Sequence, residues 1–438
     1  MRITIVGTGY VGLVTGAGFA DFGNQVLCVD VDRAKIEMLE RGQLPFYEPG
    51  LDDLIARNVR ERRLRFGLSL EEATRWGEAI FICVGTPQGE DGRADLKYVD
   101  AAARTIARAM NGYRLIVQKS TVPVGTAERV RAIVKKNAKR GMKFDVASNP
   151  EFLREGTAVE NWMRPDRVVI GADSAKARQL LREIYSPLYL IETPMVTTDV
   201  RTAELIKYAA NAFLATKISF INEMANLSEA LGADVKDVAK AMGLDRRIGP
   251  KFLHPGPGFG GSCLPKDTRA MAAFATKAGV RLRIVEAAVE ANDAQQDIAV
   301  EKVMAALPGT RKSRTAAILG LSYKPDTDDL REAPALHIIR ALLKRGVKVR
   351  AYDPVVREGA AGVPDGITFA ENAYDAAKGA DALVIVTEWN EFRRLDLARI
   401  RRAMRRRAIV DLRNIYEPAS VRKLGFDYTS VGRPNEAD

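Results

Sequence analysis

Short apolar runs alternate with amphipathic segments along the first 150 residues. The runs ITIV (3–6) and QVLCVD (25–30) are typical of buried strands, and the segment from Gly7 to about Phe22 has helical spacing. Further strand-like runs occupy Ala79–Val84, Leu115–Lys119 and Phe144–Ala147. This alternation predicts a parallel, doubly wound sheet.

The middle of the chain has a different pattern. Residues 201–231 keep a helical period and contain neither glycine nor proline, which predicts one long helix. Helical sequence continues to about Ala306 and is interrupted by the Gly/Pro-rich stretch IGPKFLHPGPGFGGSCLP (248–265).

The final third repeats the strand pattern of the first. The segments AAILGLSY (316–323), KVRAYDP (348–354), ALVIVTEW (382–389) and AIVDLRN (408–414) parallel the N-terminal strands. We therefore predict an α/β protein with two Rossmann-like doubly wound parallel-sheet domains joined by a long central helix. The expected boundaries are 1–200 for the first Rossmann-like domain, 201–306 for a central helical domain that includes the Cys263 loop and 307–438 for the second Rossmann-like domain.

A glycine pattern follows the first strand directly. Gly7, Gly9 and Gly12 have GxGxxG spacing, and the next strand ends in Asp30. Strand, glycine turn, helix, strand and acid form the dinucleotide fingerprint, in which pyrophosphate binds at the helix N-terminus. Asp30 would accept hydrogen bonds from a ribose and repel a 2'-phosphate, which favours NAD over NADP. The second repeat keeps only Gly320, so we expect a single dinucleotide site.

Charge and composition narrow the class of protein. The net charge is +11, from 67 basic and 56 acidic residues, which raises anionic small molecules, nucleic acid and acidic membranes as partners. The basic clusters at 135–140 and 401–407 lie on predicted helix ends far from aromatic residues, so solvated faces are favoured over nucleic-acid contacts. No basic leader or long apolar run is evident, and three cysteines suit a reducing compartment, so we expect a soluble cytoplasmic protein.

The three cysteines differ in context. Cys28 and Cys83 lie in apolar strands and are expected to be buried. Cys263 follows two glycines and precedes LPKD, a helix start with Pro265 predicted at the first position. A helix N-terminus and the adjacent Lys266 both favour the thiolate.

Two further observations restrict the use of this thiol. The only histidines, His254 and His337, form no evident Cys/His pair, and CxxC spacing and metal-ligand clusters are missing, so no metal is expected. Beside an NAD site, a thiolate can add to an aldehyde, and the thiohemiacetal can lose hydride to become a thioester. Hydrolysis would release a carboxylic acid.

Several motifs together resemble the nucleotide-sugar 6-dehydrogenases, the UDP-glucose/GDP-mannose dehydrogenase family, across nearly the whole chain. They are GTGYVGL, CVGTP (83–87), STVPVGT (120–126), NPEFLREGTA (149–158), AELIKYAANAFLA (203–215), GFGGSCLPKDT (258–268) and GLSYKPDTDDLRE (320–332).

The resemblance implies two successive oxidations of a sugar C6 alcohol by two NAD molecules, with Cys263 as nucleophile. Lys207 and Asn211 would stabilise the developing oxyanion. Asp267, Glu151 and a water held by Thr121 would supply acid/base and hydrolytic groups, whose division among the steps stays open.

The resemblance also implies binding residues. NAD contacts would come from Val11, Asp30, Lys35, Thr86, Thr121, Glu155, Lys266 and Arg331, beside the three glycines. Sugar-nucleotide contacts would come from Glu151, Phe152, Leu153, Arg154, Glu155, Lys207, Asn211, Phe252, Leu253, His254, Pro255, Gly256, Gly260 and Lys324, with Arg413 as a further candidate. Arg247 would reach across a subunit interface, which implies a homodimer or a multiple of one.

The expected substrate is UDP-glucose, but two departures keep alternatives open. Leu264 is a residue type found in the GDP-mannose enzymes of the family, and His254 stands at a variable position. The same chemistry on GDP-mannose or a UDP-N-acetyl-hexosamine is one alternative. Another is a catalytically silent NAD or nucleotide-sugar sensor, and a third is a nucleic-acid binder driven by the positive charge.

Overall fold

The computed structural model describes residues 1–89, 94–309 and 314–434. The chain forms two compact units, Met1–Ala210 and Asn211–Asp438. In the first unit the strands are β1 (Arg2–Val6), β2 (Gln25–Val29), β3 (Leu64–Gly67), β4 (Ala79–Ile82), β5 (Arg114–Gln118), β6 (Phe144–Ser148), β7 (Val168–Ala172) and β8 (Met195–Thr198). Its helices are α1 (Tyr10–Asp21), α2 (Arg33–Glu40), α3 (Leu51–Arg60), α4 (Leu70–Trp76), α5 (Lys97–Ala109), α6 (Thr126–Asn137), α7 (Ala158–Met163) and α8 (Ala175–Ile184), with a 3-10 turn at Ser186–Ile191.

These strands form one eight-stranded sheet of order β3-β2-β1-β4-β5-β6-β7-β8. Both faces are covered, because alternate residues of one strand enter different cores. Phe81 of β4 packs in the core beneath α1, whereas Ile80 and Ile82 pack in the core beneath α5 and α6. The predicted strands are confirmed to within two residues.

One strand departs from the predicted parallel sheet. β7 pairs antiparallel with β6. The chain leaves β6 through residues 149–157, and α7 then packs against α1, with Trp162 filling the space beside Gly18. The chain therefore enters β7 at the same end of the sheet at which it left β6, so the two strands run in opposite directions. The connection to β8 is parallel again.

The second unit has its own sheet. Its strands are β9 (Arg314–Leu319), β10 (Val347–Tyr352), β11 (Ile367–Phe369), β12 (Ala382–Ile385), β13 (Ala408–Asp411) and β14 (Asp427–Ser430). They form a six-stranded parallel sheet of order β11-β10-β9-β12-β13-β14. The strands β10-β9-β12 have the same order as β2-β1-β4 of the first sheet, so the predicted second Rossmann-like unit is confirmed.

Helices cover both faces of this second sheet. They are α10 (Val235–Leu244), α11 (Leu264–Lys277), α12 (Arg283–Ala306), α13 (Pro334–Lys344), α14 (Ala373–Ala377), α15 (Leu397–Ala403) and α16 (Pro418–Lys423), with a 3-10 turn at Asn390–Arg394. The long helix α9 (Val200–Leu231) belongs to the first unit up to Ala210 and to the second from Asn211 onward. Its Ile221 and Ala225 join Val300 and Val303 of α12 in the core on one face of the second sheet.

The predicted long central helix is thus confirmed, and the three proposed domain boundaries stay a prediction. Among the described residues, helices long and apolar enough to cross a membrane were not found.

Candidate active site

The glycine turn after β1 lies where the strand order of the first sheet reverses, between β1 and β4. Ligands of doubly wound sheets bind at this switch point. A Cβ on Gly7 would lie 2.9 Å from the Cys83 carbonyl oxygen, and one on Gly12 would lie 1.9 Å from the Gly7 carbonyl oxygen. A Cβ on Gly9 would meet no described atom within 4 Å. Internal packing therefore requires Gly7 and Gly12, whereas Gly9 leaves room for a ligand at the start of α1.

Asp30 stands beside this turn, just after β2. Its Oδ2 accepts hydrogen bonds from Thr8 N–H (2.7 Å) and Thr8 Oγ1 (2.8 Å), and Oδ1 accepts from Asp32 N–H (3.0 Å). Burial acts to raise the pKa of Asp30, but these hydrogen bonds and the nearby Lys35 ammonium together lower it. The carboxylate is consequently ionised and half-exposed, as recognition of ribose hydroxyls requires. These residues fit NAD.

Other predicted NAD residues lie at the carboxyl ends of neighbouring strands. Thr86, beyond β4, donates a hydrogen bond to the carbonyl of Thr121, beyond β5 (2.9 Å). Lys35 forms an exposed ion pair with Asp32 (3.8 Å), Val11 is partly buried on α1, and Glu155 is buried beyond β6. The sheet thus gathers most of the predicted NAD residues of the first unit at one edge.

Glu151 and Lys207 form a buried ion pair in the first unit. Lys207 Nζ lies 3.0 Å from Glu151 Oε1, and both side chains are about 5% exposed (5% and 6%). Glu151 Oε2 also accepts from Leu153 N–H (2.6 Å), and the Lys207 ammonium lies 5.2 Å from the Phe152 ring centroid. Two residues predicted from separate motifs therefore meet, and α9 supplies the cation.

A buried lysine supports the segment that carries Glu151. Lys119 Nζ donates to Asn149 Oδ1 (3.1 Å), the Asn149 carbonyl (3.3 Å) and the Tyr185 hydroxyl (3.2 Å). Burial lowers the pKa of Lys119 to about 8.

Glu48 holds the other end of that segment. Its carboxylate accepts from the N–H groups of Gly156 (2.6 Å) and Ala158 (2.7 Å) and from the Tyr10 hydroxyl (3.0 Å). Because Tyr10 begins α1, Glu48 ties the predicted pyrophosphate turn to residues 151–158.

Cys263 lies in the second unit as the N-cap of α11, and it is exposed. Pro265 is the second residue of this helix, not the first as predicted, because Leu264 already has helical conformation. The Cys263 sulfur lies 3.5 Å from Ser262 Oγ. Cys28 and Cys83 are buried, as predicted, and burial raises the pKa of Cys83 to about 12, so these two thiols stay protonated.

Asp267, one helical turn after Cys263, binds two other residues that were predicted for the site. Its side chain is 1% exposed. Oδ2 accepts a hydrogen bond from Asn211 Nδ2 (2.6 Å), and Oδ1 accepts from Lys266 Nζ (2.5 Å). The Lys266 ammonium is therefore paired with Asp267, and its predicted effects on the thiol and on NAD stay predictions.

The glycines before Cys263 are required by packing within the second unit. A Cβ on Gly260 would lie 2.2 Å from the Glu332 carbonyl oxygen, and one on Gly261 would lie 2.7 Å from the Tyr323 ring. Gly261 also donates its N–H to the Arg331 carbonyl (2.9 Å). The predicted cysteine motif and the predicted KPDTDDLRE segment thus pack against each other.

The remaining predicted substrate residues of this unit occupy varied positions. Phe252 has a positive φ of 64°, Leu253 is buried, and His254 is exposed. Lys324 Nζ lies 5.4 Å from the Tyr323 ring centroid. Arg413 donates to the Val386 carbonyl (2.7 Å) and pairs with Glu388 (3.1 Å).

Two predicted arginines are exposed on the surface of the second unit. Arg331 pairs with Asp329 (2.8 Å), and Arg247 pairs with Asp245 (2.6 Å). The Arg247 side chain is 88% exposed, so most of its surface is available to another molecule.

The turn after β9 in the second sheet differs from the glycine turn after β1 in both its acid and its glycine. Asp353, which matches Asp30, is 2% exposed and accepts from the N–H groups of Leu321 (2.8 Å), Ser322 (3.2 Å) and Val355 (3.0 Å). A Cβ on Gly320 would lie 2.4 Å from Thr387 Cβ. The buried Asp353 carboxylate therefore binds backbone N–H groups of the protein itself. This is in agreement with the prediction of one dinucleotide site.

Sequence reasoning missed several buried polar residues. Glu48, Lys119 and Tyr185 stand in no pattern that separates them from solvated side chains. Asn222, Asn292 and Gln295 lie next to apolar positions on their helices, but Ser219, Asn226 and Gln296 share those faces, so the helical pattern did not separate them.

The open glycine turn and the ionised acid of the first sheet define a dinucleotide-binding protein of the NAD class. The chain belongs to the UDP-glucose/GDP-mannose dehydrogenase family, whose models match it in three parts: the NAD binding domain at residues 1–189, the central domain at 201–294 and the UDP binding domain at 317–418. It is therefore an NAD-dependent oxidoreductase.

Known proteins resemble the chain over its whole length. A UDP-glucose 6-dehydrogenase of Rhizobium meliloti is 51% identical, covering 99% of this chain and 100% of the relative. One of Pseudomonas aeruginosa is 48% identical, covering 99% and 98%. The structure of a UDP-glucose dehydrogenase from Pyrobaculum islandicum is 40% identical, covers 99% of this chain and 98% of its own, and has a TM-score of 0.90.

Proposed function

We propose that this enzyme oxidises UDP-glucose to UDP-glucuronate in two NAD-dependent steps, with Cys263 as the covalent nucleophile. The observation that carries the proposal is the arrangement at α11, where an exposed cysteine stands at the N-cap position and Asp267 binds Asn211 and Lys266 one turn later. The similarity to UDP-glucose 6-dehydrogenases over the full chain supports the choice of substrate.

In the first oxidation the C6 alcohol of glucose loses a proton and a hydride and becomes an aldehyde. Bound NAD, held by the Gly9 turn and Asp30, accepts the hydride in this and in the second oxidation. Lys207 and Asn211 stabilise the negative charge on the sugar oxygen. The ion pair with Glu151 fixes the Lys207 ammonium, and Asp267 fixes the Asn211 amide.

The thiol then forms a C–S bond with the aldehyde carbon, and the carbonyl oxygen takes up a proton. The resulting thiohemiacetal loses a hydride and its hydroxyl proton and becomes a thioester. Water attacks the thioester, the C–S bond breaks, and the sulfur regains a proton as the carboxylate leaves. Asp267, Glu151 and a water bound near Thr121 are the candidates for these proton transfers.

We also propose that the enzyme is a homo-oligomer built on α9. Phe213, Phe220 and Leu227 recur at intervals of seven on this helix and are 66%, 42% and 49% exposed. An apolar stripe of this kind is typical of an interface. Arg247 is then free to serve a neighbouring subunit. The cytoplasmic location remains part of the proposal.

The ratio of NADH formed to UDP-glucose consumed tests the chemistry. We expect two NADH per sugar in the natural enzyme. One NADH with free aldehyde as product would refute the thioester route. The variant Cys263→Ser should lose most turnover and retain an ester that hydrolyses slowly, visible as added mass on the protein, whereas unchanged turnover would remove Cys263 from the mechanism.

Substrate competition separates the alternatives. We expect the highest kcat/KM on UDP-glucose, and a higher value on GDP-mannose or a UDP-N-acetyl-hexosamine would reassign the substrate without changing the chemistry. Binding of NAD and sugar nucleotide without NADH formation, with Cys263 intact, would support a sensor. Nucleic-acid binding that depends steeply on salt, and with which sugar nucleotides do not compete, would support a nucleic-acid binder.

A further inference from the structure

Two helices of the second unit grip the loop that leads to Cys263. Asn222 of α9 accepts a hydrogen bond from Gly256 N–H (2.8 Å), and Gln295 of α12 donates to the Gly256 carbonyl (2.9 Å). Both main-chain polar atoms of Gly256 are therefore bound by side-chain amides.

At Phe259 a single side chain, that of Asn292, binds both main-chain polar atoms. Asn292 Oδ1 accepts from Phe259 N–H (2.7 Å), and Asn292 Nδ2 donates to the Phe259 carbonyl (3.3 Å). Asn226 Nδ2 donates to Gln295 Oε1 (2.9 Å) and so fixes the orientation of the Gln295 amide. We refer to Asn222, Asn226, Asn292 and Gln295 as the amide clamp.

The clamp is buried within the packing of α9 against α12. Asn222, Gln295 and Asn292 are 1%, 2% and 3% exposed. A primary amide buried to this extent costs stability unless its donors and acceptors are satisfied. The loop backbone supplies partners for Asn222 Oδ1, Gln295 Nε2 and both polar atoms of Asn292, whereas Asn222 Nδ2 has no hydrogen-bond partner among the described residues. These bonds hold the helices and the loop in one arrangement.

The loop itself offers few main-chain donors. Pro250, Pro255 and Pro257 lack an N–H group, and Phe252 has a positive φ of 64°, a conformation that a bulky residue keeps only when its surroundings impose it. Lys217 Nζ donates to the carbonyls of Ile248 and Gly249 at the start of the loop, and Gly261 donates its N–H to the Arg331 carbonyl near its end. Between these two points the clamp binds the main chain of Gly256 and Phe259.

The held positions lie immediately before the thiol. Phe259 is followed by Gly260 and Gly261, which pack against the Glu332 carbonyl and the Tyr323 ring, and Cys263 then caps α11. From Phe259 to Cys263 the chain has few remaining degrees of freedom. The direction in which it enters α11 is set by the clamp at one end and by the helix at the other.

We propose that Asn292, assisted by Asn222 and Gln295, is a positioning residue that holds the Cys263 thiol at the N-terminus of α11. It acts through the main chain of Phe259 and does not touch the substrate. The effect on turnover rests on the function proposed above, whereas the effect on the thiol does not. Because a helix N-terminus promotes the reactive thiolate, a thiol released from that position should react more slowly.

Two variants and one matched control test this proposal. Asn292→Ala removes both bonds to Phe259, and Asn292→Asp keeps the size and the acceptor but loses the donor. Ser219→Ala removes a buried hydrogen bond between the same two helices, from Ser219 Oγ to the Ala288 carbonyl (2.6 Å), without touching the loop. Thermal unfolding of all three variants reports the purely structural cost.

The measurements are kcat, KM for NAD, and the rate at which iodoacetamide alkylates Cys263 in the folded enzyme, read by mass spectrometry. Cys28 and Cys83 are buried and serve as internal references. For Asn292→Ala we expect kcat to fall about tenfold or more, because small displacements of a reacting group are costly. Alkylation should also slow, and KM for NAD should change by less than about twofold, because most of the predicted NAD residues lie in the first unit. Asn292→Asp should be intermediate, and Ser219→Ala should behave as the natural enzyme.

Equal effects of Asn292→Ala and Ser219→Ala on kcat and alkylation would overturn the proposal, as would an unchanged alkylation rate in both Asn292 variants. If the natural enzyme fails to oxidise UDP-glucose while alkylation slows as expected, the proposed function fails and the clamp stands. If it oxidises UDP-glucose and the Asn292 variants do so equally well, the clamp fails and the function stands.

Discussion

Asn211 Nδ2 donates a 2.6 Å hydrogen bond to Asp267 Oδ2 and so joins the long helix α9 to the helix that Cys263 begins. The two residues are 56 positions apart in the sequence and both are buried. Asp267 thereby fixes the orientation of the Asn211 amide, whose Nδ2 keeps a second N–H beside the one given to Asp267. In the proposed reaction this second N–H stabilises the sugar oxyanion.

Asp267→Asn should therefore lower kcat by at least about 100-fold, the size of effect seen when an oxyanion-stabilising group is lost. The substitution places an amide against the Asn211 amide and leaves the Lys266 ammonium without its carboxylate partner. The affinity for NAD, measured by fluorescence titration, should stay within about twofold, because most of the predicted NAD residues lie in the first unit.

Asp297→Asn is the matched control for this prediction. Asp297 pairs with His337 over 2.8 Å, and its side chain is 74% exposed. Its replacement should leave kcat unchanged, since exposed ion pairs contribute little. Similar losses in both variants would remove Asp267 from the proposed site.

Asp30→Ala should weaken NAD binding by about tenfold, because the ribose loses a charged acceptor and Thr8 loses its partner. Discrimination against NADP should fall at the same time. The check is the ratio of dissociation constants for the two dinucleotides. Asp353→Ala, at the matching place in the second sheet, should lower thermal stability and leave that ratio unaltered, because Asp353 is occupied by backbone N–H groups. An unchanged ratio in Asp30→Ala would contradict the ribose role.

Gly260→Ala should destabilise the second unit by about 2 kcal/mol or more and abolish most activity. The added methyl would lie 2.2 Å from the Glu332 carbonyl oxygen, so the backbone on one side has to move. Gly309→Ala introduces the same methyl where no described atom lies within 4 Å, and it should be neutral within about 0.5 kcal/mol. Denaturant unfolding compares the two. A neutral Gly260→Ala would show that the loop before Cys263 is loosely held.

Lys119→Met should reveal a pH-dependent cost of the buried ammonium. Burial lowers the pKa of Lys119 from 10.5 to about 8 in the folded protein. Between these values the unfolded chain binds the proton and the folded chain does not, so stability rises with pH. The natural protein should therefore gain about 2 kcal/mol of unfolding free energy over Lys119→Met between pH 7 and pH 10.

Urea unfolding of both proteins at the two pH values provides the measurement. Lys136→Met, at an exposed position near the end of α6, is the control, because an exposed ammonium is hydrated in both states. The difference between natural protein and Lys136→Met should stay flat with pH. A flat difference for Lys119→Met as well would mean that Lys119 is ionised at no cost.

Local pattern was sufficient to predict the strands that form the centre of each sheet. The runs at Ile3, Gln25, Ala79 and Leu115 are apolar because both faces of these strands are covered. The short edge strands β3, β8, β11 and β14 were missed, because partly exposed edge strands have no such run. The apolar pattern also could not predict the antiparallel direction of β7, because that direction depends on α7 packing against α1.

The candidate site, like the fold, has parts that local sequence predicts and parts that depend on the tertiary structure. GxGxxG with Asp30, and GFGGSC before LPKD, are contiguous segments, and their chemistry depends on backbone conformation and residue type within a few positions. The pairing of Glu151 with Lys207 and of Asn211 with Asp267 needed the fold, because each joins residues more than fifty positions apart.

The sequence by itself determined the two sheet-forming repeats, the long helix, the single glycine cradle with its acid, and the one cysteine placed at a helix start. All of these follow from the local period of apolar residues and from the conformations that glycine and proline permit. Only the tertiary structure decided that Lys266 pairs with Asp267, that Gly260 and Gly261 are required by neighbouring backbone and ring, and that three side-chain amides bind the loop before Cys263. Whether a polar side chain is solvated or buried against a partner depends on which distant segment packs beside it, and that is settled only when the chain has folded.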